Sequence, residues 1–240
     1  MGGIRLNYLH LLSTLGIGGA HPGGLMLTKQ IFESEQYPLN YKILDAGCGT
    51  GQTAAYLTQL GYNVTGIDFN MQMIEHATIR NHINQLKIPY YVEDLAHTSF
   101  SDASFDLVLC ESVLQFTSLT KTLSEIARIL KSNGSVVAIE MVQDGTLASE
   151  EQFELKSFYG CEQIYTISEW KQCFLKHHIP LSKVLTKTDI LFIDENEPTT
   201  EFSPIEDIPQ DVFELLSEHE RLTQKYSNKL SFCILFGQKC

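Results

Sequence analysis

A strand-like apolar run at residues 43–46 stops at a loop of alternating glycines, and helix-forming residues follow at once. The glycines are Gly47, Gly49 and Gly51. Glycine lets the backbone turn sharply and approach a ligand where a Cβ would intrude, and the loop presents N–H groups at a helix N-terminus. A dinucleotide-binding loop needs a further glycine where this chain has Gln52. We therefore expect a nucleoside-like cofactor, bound by a loop that departs from the NAD type.

Carboxylates stand at the ends of the predicted strands around this loop. The acids are Asp45, Asp68, Asp94 and Glu111. Parallel sheets bind ligands at the carboxyl ends of their strands, beside the point where the strand order reverses. A random scatter of acids would not share that position, so we expect these four side chains to surround one site.

The order of these segments resembles that of the class I S-adenosylmethionine-dependent methyltransferases. In that family an acidic residue precedes G-x-G-x-G, as Asp45 does here, and a carboxylate ends the following strand, as Asp68 does. Residues 91–95 and 105–111 resemble the family's third and fourth strands, and residues 129–138 resemble its helix, glycine turn and fifth strand. The similarity is greatest to small-molecule enzymes of the quinone-biosynthesis type. It implies S-adenosyl-L-methionine as the cofactor.

Apolar strand runs alternate with helical patterns from Lys42 onward, which is typical of a parallel sheet covered on both faces. The resemblance covers about residues 40–145 and implies an α/β fold: a Rossmann-like, doubly wound, mostly parallel seven-stranded sheet with an antiparallel last strand. We predict strands at 43–46, 63–68, 89–93, 105–110, 135–142, 183–193 and 231–237. Helices are predicted at 25–35, 52–60, 71–85, 119–131, 168–178 and 211–226, after an amphipathic helix that begins near Leu6.

The chain is expected to form one methyltransferase domain, residues 1–240, because its length and 43% hydrophobic content suit a single substantial core. Within it we predict a helical cap at 1–38, a cofactor-binding core at 40–145, and a substrate-side lid with the closing strands at 146–240. The last part contains an acidic insertion at 194–227.

The resemblance assigns cofactor roles to particular residues. Asp68 would bind the ribose hydroxyls, Asp45 the methionine ammonium or the loop amides, and Asp94 the adenine edge. Phe69 and Met73 would cover the adenine, or would simply belong to the core. The full predicted cofactor set is Asp45, Gly47, Cys48, Gly49, Gly51, Asp68, Phe69, Met73, Asp94, Leu95 and Glu111.

Two residues are candidates for a catalytic role. Glu111 follows the fourth strand near the expected sulfonium, where it would face cofactor or substrate, or cap the next helix. His21 lies in a glycine-dense loop and would act as a base, since histidine titrates near neutral pH, or would only cover the cofactor.

Aromatic residues are frequent after the fifth strand and are candidates for an acceptor pocket, although packing of a lid helix would use the same residues. The predicted acceptor-binding residues are Phe116, Tyr159 and Tyr165. The expected reaction is methyl transfer to a small molecule by in-line displacement. The alternatives are a cofactor-binding or regulatory protein without turnover and, third, a nicotinamide oxidoreductase.

Composition limits the partners. The net charge is −12, and the stretch from Thr188 to Glu220 holds acidic residues without Lys or Arg, so no basic patch offers itself to nucleic acid. The six cysteines form no C-x-x-C pair, so neither a metal site nor a disulfide framework is expected. No apolar run is long enough to span a membrane. We expect a cytoplasmic protein, for which a homodimer is a candidate assembly.

Overall fold

A seven-stranded sheet forms the centre of the molecule, in the order β3-β2-β1-β4-β5-β7-β6. The structure is a computed structural model and describes residues 8–190 and 208–240. The strands are β1 Lys42–Ala46, β2 Asn63–Asp68, β3 Tyr90–Val92, β4 Phe105–Glu111, β5 Leu130–Gln143, β6 Leu181–Thr186 and β7 Leu230–Gln238. The helices are α1 Tyr8–Leu15, α2 Gly24–Glu35, α3 Gln52–Gln59, α4 Met71–Ile83, α5 Leu119–Ile129, α6 Ser149–Tyr159, α7 Ile167–Lys176 and α8 Gln210–Lys225. Short 3-10 turns lie at Leu114–Phe116 and Lys187–Asp189.

Strand direction confirms the predicted fold class. Strands β1 to β5 pair in parallel, whereas β7 lies between β5 and β6 and is antiparallel to both. The strand order reverses between β1 and β4, where chain connections leave in opposite directions. A crevice at the carboxyl ends of the strands is expected at such a point.

Helices cover both faces of the sheet because its strands alternate between two apolar layers. In β4, Val108 and Cys110 pack in the core beneath α5 and α7, and Leu107 and Leu109 pack in the core beneath α2 and α3. Helix α5 presents an apolar stripe to the sheet at helical spacing. Its buried members are Leu119, Leu123, Ile126 and Ile129.

A third apolar layer joins α1, α6 and α8 above the carboxyl ends of the strands. Leu155 and Tyr226 pack in one part of it, Leu11 and Val212 in another, and Tyr8 contacts both parts. The N-terminal helix is thereby fixed over the crevice by α6 and α8. None of the helices within residues 8–190 and 208–240 is long and apolar enough to cross a membrane.

Three predictions need correction. Strand β5 begins at Leu130 instead of 135, so the end of the helix predicted at 119–131 and the glycine turn after it belong to the strand. Helix α6 was not predicted, because its aromatic residues are irregularly spaced. Strand β6 covers Leu181–Thr186 instead of 183–193, since the chain forms a 3-10 turn at Lys187–Asp189, and positions 191–193 lie outside the described residues. Positions 194–207 of the predicted acidic insertion lie outside the described residues, and the helix predicted at 211–226 corresponds to α8.

Candidate active site

A cavity of about 620 Å³ opens at the carboxyl ends of β1, β2 and β4, below α1 and the loop that follows it. Its size is in the range of about 300–1,000 Å³ that is usual for small-molecule sites. Most of the predicted site residues line it together. They are His21, Asp45, Gly47, Cys48, Gly49, Asp68, Phe69, Met73, Asp94, Leu95, Glu111 and Phe116.

The glycine loop is fixed to the end of β2 and leaves room for a ligand. The amides of Gly47 and Cys48 both donate to the carbonyl oxygen of Ile67, at 2.8 and 2.9 Å. Gly49 has a φ of +51°, and a Cβ built there would meet nothing within 4 Å. A ligand could therefore approach the Gly49 backbone closely, where a side chain would otherwise stand.

Asp68 connects the glycine loop to the N-terminus of α4. Its Oδ2 accepts from the Gly49 amide at 3.0 Å, and its Oδ1 accepts from the Asn70 amide at 2.9 Å. Burial raises the pKa of Asp68, and the two backbone hydrogen bonds oppose that effect. Each carboxylate oxygen has a second lone pair, so Asp68 retains the capacity to accept from a ligand.

Asp45 is a buried carboxylate with one unsatisfied oxygen. The residue is 2% exposed, and its Oδ2 has no hydrogen-bond partner among the described residues. Burial, followed by the negative charge of Glu111, raises the pKa of Asp45 well above its usual value. Burying an unpaired polar atom is costly, so a cationic donor reaching this oxygen from the cavity would remove that cost.

Glu111 is held by hydroxyl groups from two helices. Thr28 of α2 donates to its Oε1, and Thr53 of α3 donates to its Oε2 at 2.6 Å. The Nε2 atom of His21 lies 3.4 Å from the same Oε2, at ion-pair distance but without hydrogen-bond geometry. Sequence reasoning missed both threonines, because only the fold brings α2 and α3 to the end of β4.

His21 is buried in the cavity wall. Its side chain is 3% exposed, and its Nδ1 lies 3.3 Å from the carbonyl oxygen of Pro22. The carboxylate of Glu111 therefore stands beside the imidazole. The two predicted catalytic residues form one contact pair.

The predicted adenine end lies near the cavity mouth. Met73 and Leu95 are buried, whereas Phe69 is 62% exposed. The Oδ1 of Asp94 accepts from the Ala96 amide at 2.9 Å. These positions agree with a planar ligand held between apolar side chains, with a carboxylate at its edge.

Three predicted site residues lie outside the cavity wall. Gly51 faces the core, where a Cβ would stand 2.4 Å from the Tyr90 hydroxyl, so this glycine allows packing between α3 and β3. Tyr159 is buried among α1, α6 and α8, with its hydroxyl 3.1 Å from Nδ1 of His219. Tyr165 packs on Trp170, with ring centroids 4.6 Å apart. Tyr159 therefore belongs to the third apolar layer, and Tyr165 packs against the core on the α5 and α7 side of the sheet.

Glu140 positions the loop beside Glu111 and was not predicted. It is fully buried in β5, and its Oε1 accepts from the amides of Val113 and Leu114, at 3.1 and 2.8 Å. Burial raises the pKa of Glu140 to about 8. Its position in a run of apolar strand residues is the one signal that could have revealed it. Among the described residues, no group of three or more His, Cys, Asp or Glu is arranged to hold a metal ion.

Comparison with known proteins places this fold and site in a family. A family profile described as "Methyltransferase domain" matches residues 44–138. The chain is 39% identical over 236 residues to "Uncharacterized methyltransferase YodH" of Bacillus subtilis, covering 97% of this chain and 99% of that protein. It is 36% identical over 100 residues to the "Ubiquinone biosynthesis O-methyltransferase" of Rickettsia typhi, covering 40% of this chain and 39% of that protein.

A solved structure has the same fold. It is the geranyl diphosphate C-methyltransferase of Streptomyces coelicolor A3(2), crystallised with Mg²⁺, geranyl diphosphate and S-adenosyl-L-homocysteine. The TM-score is 0.69 at 13% sequence identity, and the match covers 90% of this chain and 78% of that one. Together with the near full-length relative, these findings show that the chain belongs to the class I S-adenosylmethionine-dependent methyltransferases.

Proposed function

We propose that this protein transfers a methyl group from S-adenosylmethionine to a small-molecule acceptor inside the cavity below α1. The unsatisfied Oδ2 of Asp45 carries the proposal, because it is buried in the same wall as Gly49 and Asp68. A cofactor with an ammonium group and a ribose would meet each of these features. The proposal gives Asp45 the ammonium, the Gly49 backbone the amino-acid part, and Asp68 the ribose hydroxyls.

The remaining cofactor roles follow the cavity wall. Met73 and Leu95 would pack against the adenine, with Phe69 covering it at the mouth and Asp94 accepting from its exocyclic amine. Gly47 and Cys48 would complete the loop around the amino-acid part. Gly51 supports the loop from the core side, since its Cβ position is taken by Tyr90.

When bound, S-adenosylmethionine supplies a methyl group on a positive sulfonium, which a nucleophile takes by in-line displacement. The protein's part is to align the acceptor and to exclude water. Helix α1 and the loop before α2 cover the cavity from above and serve the second purpose. His21 would accept the proton of a hydroxyl acceptor, and Glu111 would orient the imidazole and stabilise its charged form.

The predicted organisation of the chain is part of the same proposal. The 1–38 segment acts as a cap, residues 40–145 bind the cofactor, and residues 146–240 close the acceptor side. Location in the cytoplasm and formation of a homodimer stay predictions from the sequence.

A direct test uses S-adenosylmethionine with a deuterated methyl group and a low-molecular-mass metabolite extract. We expect a deuteromethylated product to form together with S-adenosylhomocysteine, and Asp68→Ala to abolish both. Tight binding of S-adenosylhomocysteine without any deuteromethylated product would favour a cofactor-binding protein without turnover. Binding of NADH in preference to S-adenosylhomocysteine would overturn the proposal in favour of an oxidoreductase.

A further inference from the structure

Charge around the cavity is distributed unevenly. Five carboxylates line it: Asp45, Asp68, Glu93, Asp94 and Glu111. Among the cavity-lining residues that the structure describes, the one lysine or arginine is Lys121. It belongs to the first turn of α5, five positions beyond Phe116. The proposed cofactor positions use the acidic residues, which leaves the cation for a different ligand.

Lys121 differs from several lysines on the surface of this acidic protein. Lys131, Lys183 and Lys225 pair with carboxylates at 2.7, 2.8 and 2.6 Å. Lys121 is exposed and makes no hydrogen bond or ion pair with the rest of the described chain. In a chain of net charge −12, a cavity-lining ammonium group that has no carboxylate partner among the described residues is suited to an anionic ligand.

The cavity that Lys121 lines also has apolar residues in its wall. Leu9 and Leu12 of α1, Ile17 of the following loop and Phe116 of the 3-10 turn all line the cavity. The Phe116 ring stacks on Tyr8, with centroids 6.2 Å apart and planes inclined by 26°. Tyr8 also contacts Tyr159 of α6 and His219 of α8, so it connects Phe116 to these two helices.

We propose that the methyl acceptor is an amphipathic anion, a small molecule with an apolar body and a carboxylate or phosphate group. Its body packs against Leu9, Leu12, Ile17 and Phe116, and its anionic group pairs with Lys121. This inference rests on the proposed function, because it assigns the part of the cavity that the cofactor leaves. Lys121 is then a specificity-determining residue that orients the acceptor and takes no part in the chemistry.

The strength of each contribution decides the form of the test. A single exposed ion pair is weak, so the charge alone would give selectivity without high affinity. Burial of the apolar chain adds affinity in proportion to the surface removed from water. A probe must therefore carry both an apolar chain and a charge for either contribution to be measured.

The test titrates the protein, saturated with S-adenosylhomocysteine, with three probes of one chain length: octanoate, 1-octanol and octylammonium. We expect octanoate to bind most tightly. Lys121→Met should weaken octanoate by about fivefold, equivalent to about 1 kcal/mol, and leave 1-octanol unchanged. Lys171→Met removes the same charge from an exposed site on α7 outside the cavity, and it should change nothing.

The result separates this inference from the proposed function. If S-adenosylhomocysteine itself fails to bind, the proposed function is wrong. If it binds but the cavity prefers 1-octanol or octylammonium, binds none of the three probes, or responds equally to Lys121→Met and Lys171→Met, the acceptor assignment alone is overturned. If Lys121→Glu makes the protein bind octylammonium more tightly than octanoate, residue 121 determines the sign of the ligand charge that the cavity prefers.

Discussion

Nε2 of His21 lies 3.4 Å from Oε2 of Glu111, although 90 positions separate the residues in the chain. The carboxylate is anchored by Thr28 and Thr53, so the imidazole is held against a fixed negative charge in the cavity wall. This arrangement suits either a proton acceptor or a residue that only covers the cofactor.

Replacing His21 distinguishes the two roles. If His21 takes a proton, His21→Gln should slow transfer to a hydroxyl acceptor by about 10²- to 10⁴-fold while leaving S-adenosylhomocysteine affinity within about threefold. If His21 only covers the cofactor, affinity should fall together with the rate. Single-turnover rates and calorimetric affinities, measured on the same preparations, check this. His97→Gln, outside the cavity wall, is the control.

The affinity for cofactor should rise with pH. Burial and Glu111 raise the pKa of Asp45 in the free protein, so binding an ammonium below that pKa must release a proton. The affinity for S-adenosylhomocysteine should therefore increase as pH rises above the usual range of an aspartate, by at most about tenfold per unit for one proton. Calorimetry in buffers of different ionisation enthalpy measures the proton release directly.

Methylthioadenosine provides the control for this pH dependence, because it lacks the amino-acid part. Its affinity should vary less with pH than that of S-adenosylhomocysteine. Asp45→Asn should weaken S-adenosylhomocysteine and remove its pH dependence. Equal pH profiles for the two ligands would contradict the assignment of Asp45 to the ammonium.

The glycines of the loop should separate binding from stability. Gly49 has a positive φ, so Gly49→Ala should lower the free energy of unfolding by about 1–2 kcal/mol through left-handed backbone strain. The added Cβ would point into open space and should block the ligand. At Gly51 a Cβ would collide with the Tyr90 hydroxyl, so Gly51→Ala should lower Tm more than Gly49→Ala does. Thermal unfolding with and without S-adenosylhomocysteine checks both. Tyr90→Phe should recover part of the Tm lost in Gly51→Ala.

Glu140 should make stability depend on pH. Its folded pKa of about 8 exceeds its usual value of 4.5, so the native state retains a proton that the unfolded chain loses. The stability that Glu140 contributes is therefore fully present below about pH 4.5 and is lost as pH rises toward about 8. Glu140→Gln should flatten this part of the Tm profile, whereas Glu150→Gln, at an exposed position, should leave it unchanged. Parallel Tm profiles for wild type and Glu140→Gln would show that this carboxyl is ionised throughout.

The central fold could be predicted from the sequence because periodicity and glycine turns are local. The strand predicted at 63–68 matches β2 residue for residue, and the predicted helix at 52–60 differs from α3 by one position. Helix α6 could not be predicted, because its sequence is only weakly amphipathic. Its residues Leu155 and Tyr159 are buried by packing against α1 and α8, which no local pattern indicates. Strand β6 lies at the edge of the sheet and pairs with β7 alone. It ends at Thr186 because the chain then forms the 3-10 turn at Lys187–Asp189.

The sequence could predict only those site residues that follow directly from the order of the parallel strands. Asp45, Asp68 and Glu111 meet because parallel strands bring their carboxyl ends to one edge. Thr28 meets Glu111 across 83 positions, through the packing of a helix whose location no local pattern gives. Tyr159 and Tyr165 were predicted to bind the acceptor but lie outside the cavity wall, because composition does not distinguish a pocket wall from a packed core.

The most direct measurement of the central claim is the calorimetric affinity of S-adenosylhomocysteine for wild type, Asp68→Ala and Asp144→Ala. Asp144 is an exposed carboxylate outside the cavity and matches the charge change. We predict that Asp68→Ala weakens binding at least about tenfold, equivalent to about 1.4 kcal/mol, and that Asp144→Ala leaves it unchanged. Absence of binding by the wild type, or equal affinities for all three proteins, would contradict the account.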